Sequence, residues 1–238
     1  MNSLPEDIIY EIGRFLTRTD FRSLLTTSTK MNHSRHQYQY LDLNKESSKL
    51  FVECDLFRFK ILSKIKYSNK QLSLHLSNDK ITDVSMLGNV HTLKLSDCRG
   101  VTDVSMLGNL HTLDLSECTG VTDVSMLGNI HTLDLSDCSY VTDFSMLGSV
   151  HTLYLCGCLS IKDVSMLGKV RNLNLSCCDY ITDVSMLGNV NTLDLSHCTK
   201  ITDVSMLGNV HTLSLAGCSK IINISMLGNV HTLDLNFL

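Results

Sequence analysis

Ten cysteines and ten histidines are the groups in this 238-residue chain that could do chemistry. Seven cysteines recur every twenty residues, at Cys98, Cys118, Cys138, Cys158, Cys178, Cys198 and Cys218. They lack the Cys-x-x-Cys spacing of tetrahedral zinc sites, and so do Cys156–Cys158 and Cys177–Cys178. Structural zinc is therefore not expected, whereas an inward column of small hydrophobes is. The N-terminus turns acidic at once and has no basic segment ahead of an apolar one, so no secretory signal is expected and the thiols should be reduced. Six histidines form a second column, His91, His111, His131, His151, His211 and His231, interrupted by Arg171 and Asn191. Such a ladder could chelate a metal. The plainer reading is a hydrogen-bonded strand rim. Imidazoles about 5 Å apart resist joint protonation, so acid should loosen the array. No glycine-rich phosphate loop occurs, and every Ser, His and Asp of the repeats is one copy among many. An enzyme builds one site rather than eight equal ones, so neither catalysis nor a metal or other cofactor is expected.

The elements that must position these columns come from a repeat of twenty residues. Copies begin at Ile81, Val101, Val121, Val141, Ile161, Ile181, Ile201 and Ile221, with no insertion between them. An imperfect half-copy, QLSLHLSNDK, precedes the first. Places 1, 4, 7, 10, 13, 15 and 18 are apolar or Cys; in the first copy these are Ile81, Val84, Leu87, Val90, Leu93, Leu95 and Cys98. Steps of three and then two suit neither a long helix nor a long strand. They suit a coil that turns once per repeat and points these side chains inward. The Leu-x-Leu segment has period two and is the strand, pairing in parallel with its copies about 4.8 Å away. Asp83 and its copies can cap a short turn over Val-Ser-Met-Leu, read as 3₁₀ or irregular rather than α. Gly88 and its copies end that turn, either in a left-handed conformation or in tight contact between coils. Met86 and its copies read as filler of the turn rather than as a binding stripe.

Leu93-x-Leu95 followed by Cys98, with the Leu-x-Leu present in all eight copies and the Cys in seven, resembles the cysteine type of leucine-rich repeat. The resemblance covers residues 70–238. It implies an α/β solenoid: a curved leucine-rich-repeat array with a parallel β-sheet on its concave face.

Residues 1–45 are of another kind. Pro5 suits a first helical position, with Glu6 and Asp7 in the first turn. Ile8, Ile9, Ile12, Phe15 and Leu16 share one helical face. Thr19-Asp20 opens a second helix carrying Phe21, Leu24 and Leu25, and a third short helix is expected around residues 32–40. The run LPEDIIYEIGRFLTRTDFRSLLTTSTK resembles the F-box motif, with Leu4-Pro5 opening the first helix and Asp20-Phe21 the second. The resemblance implies a small three-helix domain that docks a Skp-type adaptor of cullin–RING ubiquitin ligases. It assigns the apolar contacts to Leu4, Pro5, Ile8, Ile9, Ile12, Phe15, Leu16, Phe21 and Leu24, each of which could instead hold the helices together. A stray Leu-x-Leu stands at Leu41–Leu43, and residues 46–80, with a helical rhythm over residues 46–67, read as a linker and a cap for the first coil. Residues 81–238 are the repeats.

Charge divides the same way. Residues 1–80 carry +4 and residues 81–238 carry −8, which together give the net −4. Between the two inward leucines of each strand lies one outward place. It reads Lys94, Asp114, Asp134, Tyr154, Asn174, Asp194, Ser214, Asp234, and it varies while its neighbours do not. Drift at an exposed place would produce this, and so would selection for a surface that reads a ligand. On the second reading an acidic face prefers a basic or polar protein segment and disfavours nucleic acid. No run of about 18 apolar residues occurs, so no membrane span is expected. Nearly identical short repeats behind an F-box also resemble gene families of giant viruses of amoebae. The expectation is a substrate-recognition subunit of an SCF-type ligase in the cytoplasm, of the host if viral. The alternative is a leucine-rich scaffold that binds proteins without recruiting a ligase. Weak self-association is expected through an uncapped last strand ending at Phe237-Leu238.

Overall fold

A computed structural model describes residues 40–43, 45–68, 71–76 and 81–236. Leu4, Pro5, Ile8, Ile9, Ile12, Phe15, Leu16, Phe21 and Leu24, with the first two expected helices and residues 32–39 of the third, lie outside the described residues, as do Phe237 and Leu238; Tyr40, expected at the end of the third helix, instead opens a strand. The chain divides into two compact units between His75 and Leu76.

In the first unit, β1 (Tyr40–Leu43) pairs in parallel with β2 (Gln71–His75). The stray Leu-x-Leu is thus a strand. Where one helical rhythm was expected, the chain makes two helices, α1 (Lys45–Glu53) and α2 (Asp55–Ser68). Phe51, Phe57, Ile61, Leu72 and Leu74 are buried. Ser48, fully buried, accepts a hydrogen bond from the His75 N–H and donates one to the Leu43 carbonyl, so a single hydroxyl ties α1 to the ends of both strands. Arg58 donates to the Phe51 and Val52 carbonyls at the end of α1 and pairs with Asp55, which fixes the joint between the helices.

The second unit is a curved leucine-rich-repeat solenoid. Its eight described strands, β3 (Thr92–Lys94), β4 (Thr112–Asp114), β5 (Thr132–Asp134), β6 (Thr152–Tyr154), β7 (Asn172–Asn174), β8 (Thr192–Asp194), β9 (Thr212–Ser214) and β10 (Thr232–Asp234), pair in parallel in chain order. Each residue opposes its copy twenty positions on, as in Leu93↔Leu113 and Leu113↔Leu133. A repeat without insertions leaves no other register that buries both leucines, because a slip of one residue would turn them to solvent.

Two tight corners close each coil. Leu87 N–H bonds to the Val84 carbonyl and Val90 N–H to that of Leu87, which makes the 3₁₀ turn Ser85–Leu87. Cys98 N–H bonds to Leu95 and Val101 N–H to Cys98, which makes the corner after the strand. The expected inward column is the core. Leu93, Leu95, Cys98, Val101 and their copies down to Cys218 are almost wholly buried, whereas Leu233 and Leu235 of the last coil are half-buried; a fully buried apolar side chain is worth about 1.5–3 kcal/mol relative to exposure. The aspartate cap is present: Asp83 Oδ1 accepts from Ser85 N–H at 2.9 Å, and each copy does the same, with Asn223 taking the role in the last coil.

The glycine at the end of the 3₁₀ turn is not left-handed. Gly88 has φ −63°, and Gly108, Gly128, Gly168, Gly188, Gly208 and Gly228 lie between −60 and −63°. Its reason is the close approach of coils, since a Cβ on Gly88 would overlap the Met106 carbonyl oxygen of the next coil. The left-handed residue lies elsewhere, just after the strand: Asp97, Glu117, Asp137, Gly157, Cys177, His197 and Gly217 all have φ between 58 and 71°. The methionines are not filler either. A 3₁₀ turn has three residues per turn, so places 4 and 7 point inward together and place 6 points out. Met86, Met106, Met126, Met146, Met186, Met206 and Met226 are exposed, and Met166 is half-buried.

Candidate functional site: the outward column of the strands

The outward place of each strand forms one line across the sheet. Register sets Lys94 beside Asp114, Asp114 beside Asp134, Asp134 beside Tyr154, and Tyr154 beside Asn174. Asn174 stands beside Asp194, Asp194 beside Ser214, and Ser214 beside Asp234. Lys94, Tyr154 and Asp234 are exposed and the other five half-buried. Sequence reasoning placed all eight in one column, and the strand register brings them together.

Reasoning from the sequence missed a second job of this column. Asp114 Oδ1 accepts from the Ser116 N–H at 3.0 Å and from its hydroxyl at 2.7 Å. Asp134 accepts from Ser136 N–H, Asn174 from Ser176 N–H, Asp194 from Ser196 N–H and Asp234 from Asn236 N–H. Each closes an Asx turn that steers the chain out of the strand and into the left-handed residue. Asp or Asn at five of the eight places therefore has a local reason, whereas Lys94, Tyr154 and Ser214 have none of this kind. Neighbouring coils are linked as well. Ser96 donates to Asp114 Oδ2 at 2.9 Å, and the Ser196 and Ser214 hydroxyls lie 2.8 Å apart.

Burial pushes the Asp134 carboxyl above the ordinary range, against the Ser136 hydrogen bonds and with the nearby charges of Asp114 and Asp137. The column is thus a strip of acids in which one charge is already costly. A cation or a donor arriving from a partner would relieve that cost.

The other two columns are structural. Each cysteine thiol points back one coil and donates to a leucine carbonyl: Cys118 to Leu95 at 3.0 Å, Cys138 to Leu115 at 3.0 Å, Cys158 to Leu135 at 3.1 Å. Burial pushes these thiols up to about 12, so they stay protonated and serve as donors inside the core. The histidines stack as a rim. His91–His111, His111–His131 and His131–His151 rings lie 4.4–4.6 Å apart, nearly parallel, and each Nδ1 sits 3.1–3.2 Å from the next threonine hydroxyl. Among the described residues no three His, Cys, Asp or Glu side chains converge as a metal ion would require. Among them, too, no helix is long and apolar enough to cross a membrane.

No protein-family model matches the chain, and no curated protein matches it. Solved structures similar to it include an internalin (InlF) of Listeria monocytogenes, at 22% identity and a TM-score of 0.49. That likeness covers 71% of this chain and 65% of the internalin. Internalin C2 of the same organism is 23% identical over 71% of this chain and 73% of that one, with a TM-score of 0.42. The functional domain of InlJ, described as including a cysteine ladder, is 18% identical over 67% and 56%, with a TM-score of 0.22. The assignment of this chain as a leucine-rich-repeat solenoid stands on the strand register and coil packing above.

Proposed function

We propose that the chain is the substrate-recognition subunit of an SCF-type cullin–RING ubiquitin ligase. On this reading the N-terminal segment docks a Skp-type adaptor through Leu4, Pro5, Ile8, Ile9, Ile12, Phe15, Leu16, Phe21 and Leu24. The strand face holds a target protein through Lys94, Asp114, Asp134, Tyr154, Asn174, Asp194, Ser214 and Asp234. Catalysis belongs to other subunits, and this chain contributes proximity. The observation that carries the protein-binding half is the in-register outward column, variable in residue type on a backbone that is otherwise the same from coil to coil. Its acids favour a basic or polar segment and repel phosphate backbones. The adaptor half rests on the F-box resemblance of residues 3–40. Cytoplasmic residence, in an infected host if the chain is viral, fits thiols that act as hydrogen-bond donors in their reduced form.

Two captures test the two halves separately. The full chain should retain a Skp-type adaptor, and a double Leu4→Ala, Pro5→Ala variant should lose it; equal retention would show the docking assignment to be wrong. If neither form retains adaptor, the chain is a leucine-rich scaffold that binds proteins without recruiting a ligase. For the strand face, Asp114→Asn, Asp134→Asn and Asp194→Asn combined with Tyr154→Ala remove charge and the aromatic but keep the Asx turns, as Asn174 shows. Target capture from lysate should fall with this variant while adaptor binding is unchanged.

A further inference from the structure

The solenoid has a second surface with a definite chemistry, along the 3₁₀ turns. Met86 is 47% exposed, and its copies from Met106 to Met226 are 58–61% exposed, Met166 excepted, which is half-buried. Exposed methionines stacked coil upon coil are an apolar strip that a protein leaves uncovered only at a cost in solubility. The strip is held rigidly, because the glycine of each coil packs against the methionine backbone of the next.

Beside it runs a line of exposed carboxylates, Asp83 and its six copies down to Asp203. Their hydrogen bonds from the Ser hydroxyl and Ser N–H hold them below the ordinary carboxylate range, so they are charged at neutral pH. Places 2–9 of the eight coils contain those seven aspartates and only two basic residues, Lys162 and Lys169. Between neighbouring coils the two lines form the walls of shallow depressions. One is lined by Asp103, Val104, Asp123 and Met126; a larger one, about 210 Å³, is lined by Asp203, Ile224, Met226 and Leu227 among others.

We propose that this methionine–aspartate strip is a docking surface for a basic amphipathic helix of a partner protein. Charge complementarity selects a basic partner and turns away a second copy of these acidic repeats, a nucleic acid or an anionic membrane. Spacing selects a helix. The strands of neighbouring coils recur about every 4.8 Å, so the turns they carry recur on a scale close to the 5.4 Å pitch of an α-helix rather than the roughly 6.6 Å between same-face residues of a strand. Eight coils span about 34 Å, the length of a helix of about 22 residues. Unbranched, polarisable methionine side chains adapt to apolar helix faces of different shape. The strip lies at the 3₁₀ corners rather than along the outward strand column, so its fate does not depend on the target-binding reading above.

The test uses the full chain and a synthetic helix of about 20 residues with leucine on one face and lysine on the other. A scrambled peptide of the same composition is the control. The helix should bind with Kd of about micromolar order, more weakly as salt rises, and the scrambled peptide should not bind. Combined Asp103→Asn, Asp123→Asn, Asp183→Asn and Asp203→Asn should weaken binding about tenfold or more while keeping every cap, since Asn223 makes the same one. Met106→Gln, Met126→Gln, Met186→Gln and Met206→Gln should weaken it comparably. The strand-face variant of the previous section should bind as well as wild type. The proposal is overturned if the helix fails to bind, if the scrambled peptide binds equally, or if the strip variants bind like wild type. It is overturned too if the methionine variant changes the mass of the protein in solution, which would make a second copy the occupant.

Discussion

Strain in this molecule is concentrated at one residue per coil, the left-handed position after the strand. Five of the seven described examples carry a side chain: Asp97, Glu117, Asp137, Cys177 and His197. A left-handed L-residue costs roughly 1–2 kcal/mol, yet the position cannot relax. Its N–H continues the ladder, Glu117 N–H bonding to the Ser136 carbonyl at 2.9 Å, so register imposes the conformation. Residue preference plays little part, which is why the sequence did not reveal it; Gly157 and Gly217 were the only signal. Glu117 is exposed. Glu117→Gly should therefore stabilise the protein by about 0.5–1 kcal/mol, the relief of strain outweighing the added freedom of the unfolded chain. An increase in denaturant midpoint at constant slope is the expected reading, and a decrease would mean that the strain is not there. Gly157→Ala should do the reverse, because φ is +68° and the new methyl would overlap the Asp137 carboxylate.

The element that repeats is a coil with two corners, and two of its features make opposite demands on neighbours. At the 3₁₀ corner, backbones approach so closely that only glycine fits. Gly128→Ala would drive a methyl into the Met146 carbonyl, and the coils must part, at a cost of about 2–3 kcal/mol. Gly228 meets nothing within 4 Å, so Gly228→Ala should cost under about 0.5 kcal/mol. Equal melting temperatures for the two variants would remove coil contact as the reason for the column. At the strand rim, stacked imidazoles instead demand neutrality. Desolvation first, and neighbouring charge second, lower the affinity of His91, His111 and His151 for protons. The unfolded chain, with histidines near 6.5, then binds protons that the folded one refuses. Stability is full above about pH 6.5 and is lost as the pH falls through that value towards the folded pKa values. Melting temperature should drop between about pH 7 and 5, and more shallowly after His91→Asn, His111→Asn and His151→Asn. Asparagine keeps the threonine contact, as Asn191 does. An unchanged slope in the triple variant would assign the pH dependence to other groups.

For the molecule as a whole, period and pattern made the coil, the parallel strand, the inward column, the aspartate cap and the line of outward residues readable from sequence, because each follows from which faces must be buried. What stayed hidden depends on geometry between coils. The Asx turns of Asp114 and Asp134, the left-handed corner and the outward methionines are set by the handedness and tightness of the winding, which residue types alone do not report. The candidate target-binding column was legible for a simple reason: period two within a strand and period twenty between strands leave those side chains no other place. The same reasoning makes the array modular. Each coil contacts its two neighbours through identical surfaces, so stability should be close to a sum of nearest-neighbour terms. Removing residues 121–140 joins Gly120 to Val141 and sets Asp114 beside Tyr154, His111 beside His151 and Gly108 beneath Met146, contacts the intact protein already makes between other coils. This shortened chain should fold cooperatively with a modestly lower melting temperature. Removing residues 121–130 instead deletes half a turn, sets a strand against a 3₁₀ corner, and should abolish the cooperative transition. Circular dichroism melts of the two deletions decide it: a collapsed twenty-residue deletion, or a ten-residue deletion that melts like it, would mean the coils are not the units of stability.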